Sequence, residues 1–240
     1  MIKSQAKKFL VNYFPHLGKL KRFVFALWNH ITPIKTTYAQ HQEDLLILEL
    51  LEKLKTKINI ENSLYVDVGA NHPSDISNTY LLYRNGYRGI TIEPNLELLN
   101  LHKIFRNQDI HLGIGCSETP GILEFHISKT PVLSSFTGVL PQENILATEY
   151  VPVMPIDLIL DNNILKDRMV SFLNIDVEGM NFEVLQSGNK TLPFCAILCV
   201  EFDSDLEKKL ISNSKLLENN FSLHKEVFCN LIYLNNLFFD

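Results

Sequence analysis

The feature of this sequence that most restricts its fold is a repeated unit: a short apolar run, an acidic residue at its carboxyl end, a turn, and then a helical segment. Leu64-Tyr-Val-Asp-Val-Gly-Ala70 is the first case, and Gly89-Ile-Thr-Ile-Glu93 is the second. Val170-Ser-Phe-Leu-Asn-Ile175 running into Asp176-Val-Glu178-Gly179 is another, and Ala196-Ile-Leu-Cys-Val200 running into Glu201-Phe-Asp203 follows it. Strands with no polar side must be covered on both faces, and parallel neighbours need a crossover between them. The pattern therefore predicts an α/β fold, a doubly wound and mostly parallel sheet with helices on both faces. Ligands of such sheets sit beyond the carboxyl ends of the strands, where the strand order reverses. Here those ends carry Asp67, Glu93, Asp176, Glu178, Glu201 and Asp203.

The remaining segments fill in this frame. Leu45, Leu48, Leu51 and Leu54 keep a helical period from Gln40 onward, and Pro94 and Asn95 open a helix over Leu96 to Phe105. Ser74 to Tyr83 reads as a loop entering a helix, with Asp75 and Ser77 as caps. Ile110 to Ile114 is a third strand, and Gly121 to Ile127 alternates as an extra one. Helices are expected over Asn181 to Gln186 and Asp205 to Glu218, and Ser222 to Phe228 with Leu231 to Leu234 reads as a closing antiparallel hairpin. Ser134 to Val151 has no clear period and is expected to form a long active-site loop or lid.

With 240 residues, 46% of them hydrophobic, the chain can bury a full core. One domain over residues 39–240 is expected, preceded by an extension over residues 1–38. The formal net charge of -5 hides an asymmetry: Lys3, Lys7, Lys8, Lys19, Lys21, Arg22 and Lys35 precede the first acidic residue, so the body is near -12. An acidic body argues against a nucleic-acid partner. In the extension, Phe9, Tyr13, Phe23 and Leu27 fall at helical spacing among the lysines, with breaks at Pro15 and Pro33. Two readings stand for it: a flap packed on the domain, or a segment making a peripheral membrane or protein contact. No apolar stretch approaches the roughly 20 residues of a membrane span. Cys195 and Cys199 lie in one apolar strand, roughly 13 Å apart, too far to share an ion. They are expected to be core thiols of a cytoplasmic, at most membrane-peripheral, protein.

Two features suggest a nucleoside-bearing cofactor. Asp67-Val-Gly-Ala-Asn71 directly follows a strand, and Glu93 closes the next one, 26 positions later. Gly69 would let the backbone approach a ligand, and Glu93 would accept both ribose hydroxyls. The chain has neither the G-x-G-x-x-G turn that cradles a pyrophosphate nor the G-x-x-x-x-G-K-[ST] loop, so dehydrogenase and P-loop readings lose their main support. S-adenosylmethionine has a ribose without phosphate, and its sulfonium cation is favoured by nearby carboxylates.

The motifs also occur as an ordered set: Tyr38-Ala-Gln40 with Glu43-Asp44, Tyr65 to Asn71, Ser77-Asn-Thr-Tyr80, Ile92-Glu-Pro-Asn95, Ser134-Ser-Phe136, Asn174 to Gly179 with Glu183-Val-Leu185, and Val200-Glu201. From about Tyr38 to the C-terminus this set resembles the FkbM-type methyltransferases, which methylate hydroxyl groups on sugars and other small molecules. The resemblance implies a Rossmann-like seven-stranded domain, S-adenosylmethionine as cofactor and a small-molecule or glycan acceptor. It places Asp67, Gly69, Asn71, Asn78, Glu93 and Pro94 at the cofactor and Asp176 with Glu178 at the reaction centre. Pro73 departs from the commonest pattern, which has glycine there, so Asn71, His72 or Asn78 is expected to meet the cofactor's carboxylate instead.

Transfer to a hydroxyl needs alignment and a base, and Asp176 or Glu178 is the expected base, turned into the cleft by Gly179. A further expectation is that Asp176, Glu178, Glu201 and Asp203 hold a divalent metal such as magnesium; against it stands a capping or solvated role for Glu201 and Asp203. His111, His126 and His224 read as structural. The competing function is a methyltransferase-like binding module without turnover, docked through its basic N-terminal segment.

Overall fold

The computed structural model describes residues 15–57, 59, 62–137 and 141–239. Phe9, Tyr13 and the lysines at 3, 7 and 8 lie outside the described residues. The expected strands form a seven-stranded sheet. Parallel strands β1 (Ser63–Val68), β2 (Gly89–Ile92) and β3 (Ile110–Leu112) run outward from the centre on one side. On the other side, β7 (Met169–Ile175) and β8 (Ile197–Glu201) continue the parallel set from β1. The hairpin β9 (Phe221–Val227) and β10 (Asn230–Asn235) closes that edge, β10 lying antiparallel to β8. The order is β3-β2-β1-β7-β8-β10-β9, so the chain reverses direction across the sheet between β1 and β7. That is the switch point at which a doubly wound sheet opens a crevice.

The two faces separate along the strands. Leu64, Val66 and Val68 of β1 point to one layer, with Leu198 and Val200 of β8, under helices α7 (Asn181–Gln186), α8 (Asp205–Ser212) and α9 (Lys215–Asn220). Tyr65, Phe172, Ile197, Cys199 and Ile232 face the other, under helix α2 (Glu43–Leu54) and Leu82 of helix α3 (Tyr80–Arg84). Val170 and Leu173 share a layer although three residues apart, because Ser171 is an extra residue in β7: Leu64 pairs with Val170 and Tyr65 with Phe172. The bulged Ser171 hydroxyl donates to the Leu64 carbonyl at 3.2 Å. This bulge sets the side-chain parity of the strand end, so that Asn174 stands beside Asp67 on one face.

Three segments differ from the sequence expectation. The second half of the expected lid is a strand, β6 (Ile145–Met154), which joins β4 (Gly115–Cys116) and β5 (Gly121–Ser128) in a separate three-stranded sheet. Its outer residues are largely exposed on both faces, so it lacks the alternation that marks a half-buried strand. The helix expected over Asp205 to Glu218 breaks into α8 and α9 at Asn213 and Ser214. The third strand is shorter than expected and ends at Leu112. Helix α4 (Leu96–Phe105), capped by the Asn95 side chain, and α7 have the expected bounds. Cys195 and Cys199 are buried and free.

Helix α1 (Pro15–Ile31) packs on α4, with Ala26 against Leu98, Leu101 and Phe105. Lys19 pairs with Glu97 at 3.0 Å, and Arg22 Nε donates to the same carboxylate at 3.0 Å. Arg84 donates to the Asn29 carbonyl, and to that of Thr32 at 2.9 Å. The described part of the extension is therefore docked on the domain. Among the described residues no helix is long and apolar enough to cross a membrane.

A buried cluster ties α4 to the sheet. Arg106, with no exposed surface, donates from Nε to Asp109 at 3.0 Å and from Nη2 to Tyr65 Oη at 2.7 Å and Thr79 Oγ1 at 2.9 Å. Tyr65 also hydrogen-bonds Asp109, whose other oxygen accepts from Gly89 N at 2.9 Å, and Thr79 donates to Asp67. Gly89 is required because a Cβ there would collide with the Tyr65 ring. Replacing Arg106 by Met leaves two carboxylates buried without their cation, so Arg106→Met should lose about 3–5 kcal/mol of unfolding free energy. Urea denaturation measures it, and adding Asp109→Asn should recover part of the loss.

Candidate active site

A cavity of about 320 Å³, within the usual range for a small-molecule site, opens at the carboxyl ends of β1, β2 and β7. The ladder runs one step past the strands there: Gly69 N and Ala70 N both donate to the Ile92 carbonyl, at 3.0 and 3.1 Å, and Asp176 N donates to Val68 O at 3.0 Å. The chain can turn so tightly because Gly69 has φ of 78°, and a Cβ there would strike the Asp176 carbonyl oxygen. Asn71 follows with φ of 47°, also left-handed.

That strained turn grips Glu93. Asn71 N donates to Glu93 Oε2 and Asn95 N to Oε1, each at 2.7 Å. Both carboxylate oxygens keep a second lone pair for a ligand. Burial pushes Glu93 up to about 7, opposed by the two backbone N–H groups. The Asn71 carbonyl is held in turn by His102 Nε2 at 2.9 Å. His102 is fully buried, and burial together with the Arg106 charge keeps it neutral, well below the usual histidine range. Since Nε2 faces a carbonyl it carries the proton.

The expected cofactor residues Asp67, Gly69, Asn71, Asn78, Glu93 and Pro94 all line this one cavity. They are not equally available. Asp67 already accepts from Asn174 Nδ2 at 3.0 Å and from Thr79, so it is a buried brace at the cavity floor. Asn78 Nδ2 donates to Asn174 Oδ1 at 3.0 Å, which joins the loop to β7. His72, one of the residues weighed against Pro73, is turned away: its Nε2 meets Arg22 O on α1 at 3.1 Å, while Nδ1 accepts from Ser74 N at 3.2 Å. Of the two expected caps, Ser77 accepts from Tyr80 N at 3.1 Å.

The acids on the far wall behave differently from one another. Asp176, Glu178 and Glu201 line the cavity, while Asp203 accepts from Gly179 N at 2.7 Å and is not among the lining residues. Glu201 Oε1 accepts from the Cys229 thiol at 3.2 Å. Burial and the adjacent Glu201 raise Asp176 well above the carboxylate range, and burial raises Glu201 as well, so the two titrate as a pair. Glu178, half-buried, is pushed up to about 7 by burial and then by Asp203 and Asp176. Of the four acids considered as metal ligands, Asp203 is engaged with backbone and Glu201 with a thiol through Oε1, while Glu201 Oε2 is buried without a hydrogen-bond partner among the described residues. Among the described residues no group of three or more His, Cys, Asp and Glu side chains is placed to hold a metal ion.

The cavity is walled by the first half of the expected lid. Ser134, Ser135 and Phe136 line it, and Phe136 packs on Phe125 at 4.8 Å between ring centroids. Gly115 makes room, since a Cβ there would meet the Phe136 ring. On the opposite rim, Asp44 gathers Thr37, Tyr38 and Ala39 by accepting from all three, which places Gln40 at the cavity. His111 bridges Thr91 and the Arg106 carbonyl, and His126 meets Thr148 on the small sheet, both outside the cavity. His102 and Arg106 escaped the sequence reading, and Asn174 entered it only as the first residue of the motif Asn174 to Gly179, with no role of its own.

Residues 67–227, about two thirds of the chain, match the family model described as the methyltransferase FkbM domain. A solved structure, methyltransferase FkbM from Methylobacillus flagellatus KT, is similar at 16% identity and a TM-score of 0.48 over 72% of this chain. The match covers 44% of that protein, so this chain spans under half of its length. No curated protein matches.

Glu178 costs stability when charged, because its folded-state value lies above its unfolded one and the folded state keeps a proton that the unfolded chain releases. That cost is absent below about pH 4.5 and complete above about pH 7. Glu178→Gln should therefore raise the thermal midpoint at about pH 8 and leave it nearly unchanged at about pH 4.5. Scanning calorimetry of both proteins at the two pH values checks this.

Proposed function

The chain belongs to the FkbM methyltransferase family, and from that premise we propose that it moves the methyl group of S-adenosylmethionine to a hydroxyl of a small-molecule or glycan acceptor. The observation that carries the reading is Glu93, a carboxylate fixed from behind by two backbone N–H groups and free on its cavity side. A carboxylate so placed at the end of β2 suits a pair of ribose hydroxyls. Gly69, Asn71, Asn78 and Pro94 complete the half of the cavity assigned to the donor. When bound, S-adenosylmethionine supplies an electrophilic methyl group on a sulfonium leaving group.

The chain's own residues then have to orient the acceptor oxygen and take its proton. Glu178 is the base in this reading: it borders the cavity, and at neutral pH a large share of it is deprotonated. Asp176, at the cavity beside Glu178, is a hydrogen-bonding partner for the acceptor or its neighbouring hydroxyl. Burial and mutual proximity raise both Asp176 and Glu201, which disfavours a full set of charges on this wall as Glu178 ionises. Phe125, Phe136 and the serines at 134 and 135 bound the acceptor's space and set which acceptors fit. With the donor held there, the acceptor oxygen would lose its proton to Glu178 as it gains the methyl group, and the sulfur would keep the electron pair of the broken C–S bond, leaving S-adenosylhomocysteine.

Calorimetric titration with S-adenosylmethionine, S-adenosylhomocysteine and NAD tests the cofactor half. Both sulfur compounds should bind and NAD should not, and Glu93→Ala should abolish the binding. A chain that binds neither sulfur compound would be a methyltransferase-like binding module instead. The acceptor half is tested by rate against pH at saturating donor. The turnover should rise through about pH 7 as Glu178 ionises, and Glu178→Gln should lower it about 10²- to 10⁴-fold and remove that limb. Glu93 also titrates near 7, but its ionisation should appear in donor affinity rather than in turnover.

A further inference from the structure

Helix α1 has two working faces. The inner one docks on α4 through Ala26 and the Glu97 ion pairs, whereas the outer one carries Leu20, Val24, Leu27, Trp28 and Ile31 at the spacing that shares one side of a helix. Leu20, Val24, Trp28 and Ile31 are 57, 52, 59 and 66% exposed. Together they form an apolar ridge about 16 Å long. Apolar residues are common singly on a protein surface, but a continuous ridge on a helix fixed by ion pairs points to a contact.

We propose that this ridge docks the protein on an anionic lipid surface, with α1 lying in the plane of the headgroups. Charge selects the occupant. Residues 1–42 contain seven Lys and Arg and no acid, while the rest of the chain is strongly acidic. Glu97 neutralises part of this at Lys19 and Arg22, which leaves Lys21 and Lys35 exposed beside the ridge. A cationic border around Leu and Trp side chains is the composition of an interfacial helix, and each cation near an anionic bilayer adds to its attraction. A second copy of the chain fits poorly, because two facing ridges would bring lysines together with no carboxylate between them. The acidic body would orient away from the same surface, so the charge asymmetry sets one docking pose.

Trp28 is the only tryptophan of the chain, so its emission reads the ridge directly. Vesicles of phosphatidylcholine with phosphatidylserine should shift that emission to the blue and sediment the full-length protein, less so at high salt, and phosphatidylcholine alone should do little. Val24→Ser and Trp28→Ser, both at exposed positions, should each weaken sedimentation about tenfold while leaving S-adenosylmethionine binding in solution unchanged. Unshifted emission with every vesicle, or serine variants that sediment like the parent, would overturn the proposal. So would emission already blue in buffer, or a concentration-dependent dimer that Trp28→Ser dissolves, since either means that protein covers the ridge.

Discussion

Everything at the cavity depends on one guanidinium. Arg106 sits at the end of α4 with no solvent contact, and it is reached by Tyr65 from β1, Thr79 from the loop before α3 and Asp109 from the loop before β3. Desolvating a cation and two carboxylates is expensive, and the pairing offsets that cost only with good geometry. What the cluster provides is registration. Through Thr79 and Asp67 it fixes the end of β1, through Asp109 and Gly89 it fixes the start of β2, and both strands deliver their carboxyl ends to the same crevice. Arg106 also stacks near Tyr65 and Tyr83, so a lysine could not replace it in kind.

The acids beyond these strand ends are arranged by degree of relief. Asp67 accepts one hydrogen bond on each oxygen, both from side chains, with the Arg106 guanidinium 3.9 Å away, and serves the frame. Glu93 also accepts one on each oxygen, but from backbone and with no cation among the described residues beside it, and its other side faces the cavity. Glu178 has no hydrogen-bond donor near it strong enough to hold it down, and two neighbouring acids push it up. A ranking of this kind assigns work without reference to sequence order: the more complete the hydrogen bonding of a buried carboxylate, the less it can do for a ligand.

Much of this was legible in the sequence because the strand ends are written in local residues. The apolar run ending in Asp67 and Gly69 marks a strand and a turn, and Pro94 with Asn95 marks the start of α4, where the Asn95 side chain is the cap. What stayed hidden depends on contacts distant in sequence. Arg106 stands in a polar stretch, Arg-Asn-Gln-Asp, that reads as a solvated loop, and its burial follows only from where Tyr65 and Thr79 arrive. Strand β6 is exposed on both faces from Leu146 to Tyr150 and so shows no period there. The upward shift of Asp176 depends on burial and on Glu201, twenty-five positions away, and spacing along one strand end could not rank it against Glu178.

The docking of α1 joins two places that would otherwise be independent. His72 reaches back to the Arg22 carbonyl, and Asn29 donates to Ser74 O at 2.9 Å, so the loop after Asn71 takes part of its order from the helix. Two bodies that share an ordering cost are thermodynamically linked. Whatever holds α1 in place therefore also braces the residues that follow Asn71 at the cavity rim, and a displacement of either would be felt by the other through these two hydrogen bonds.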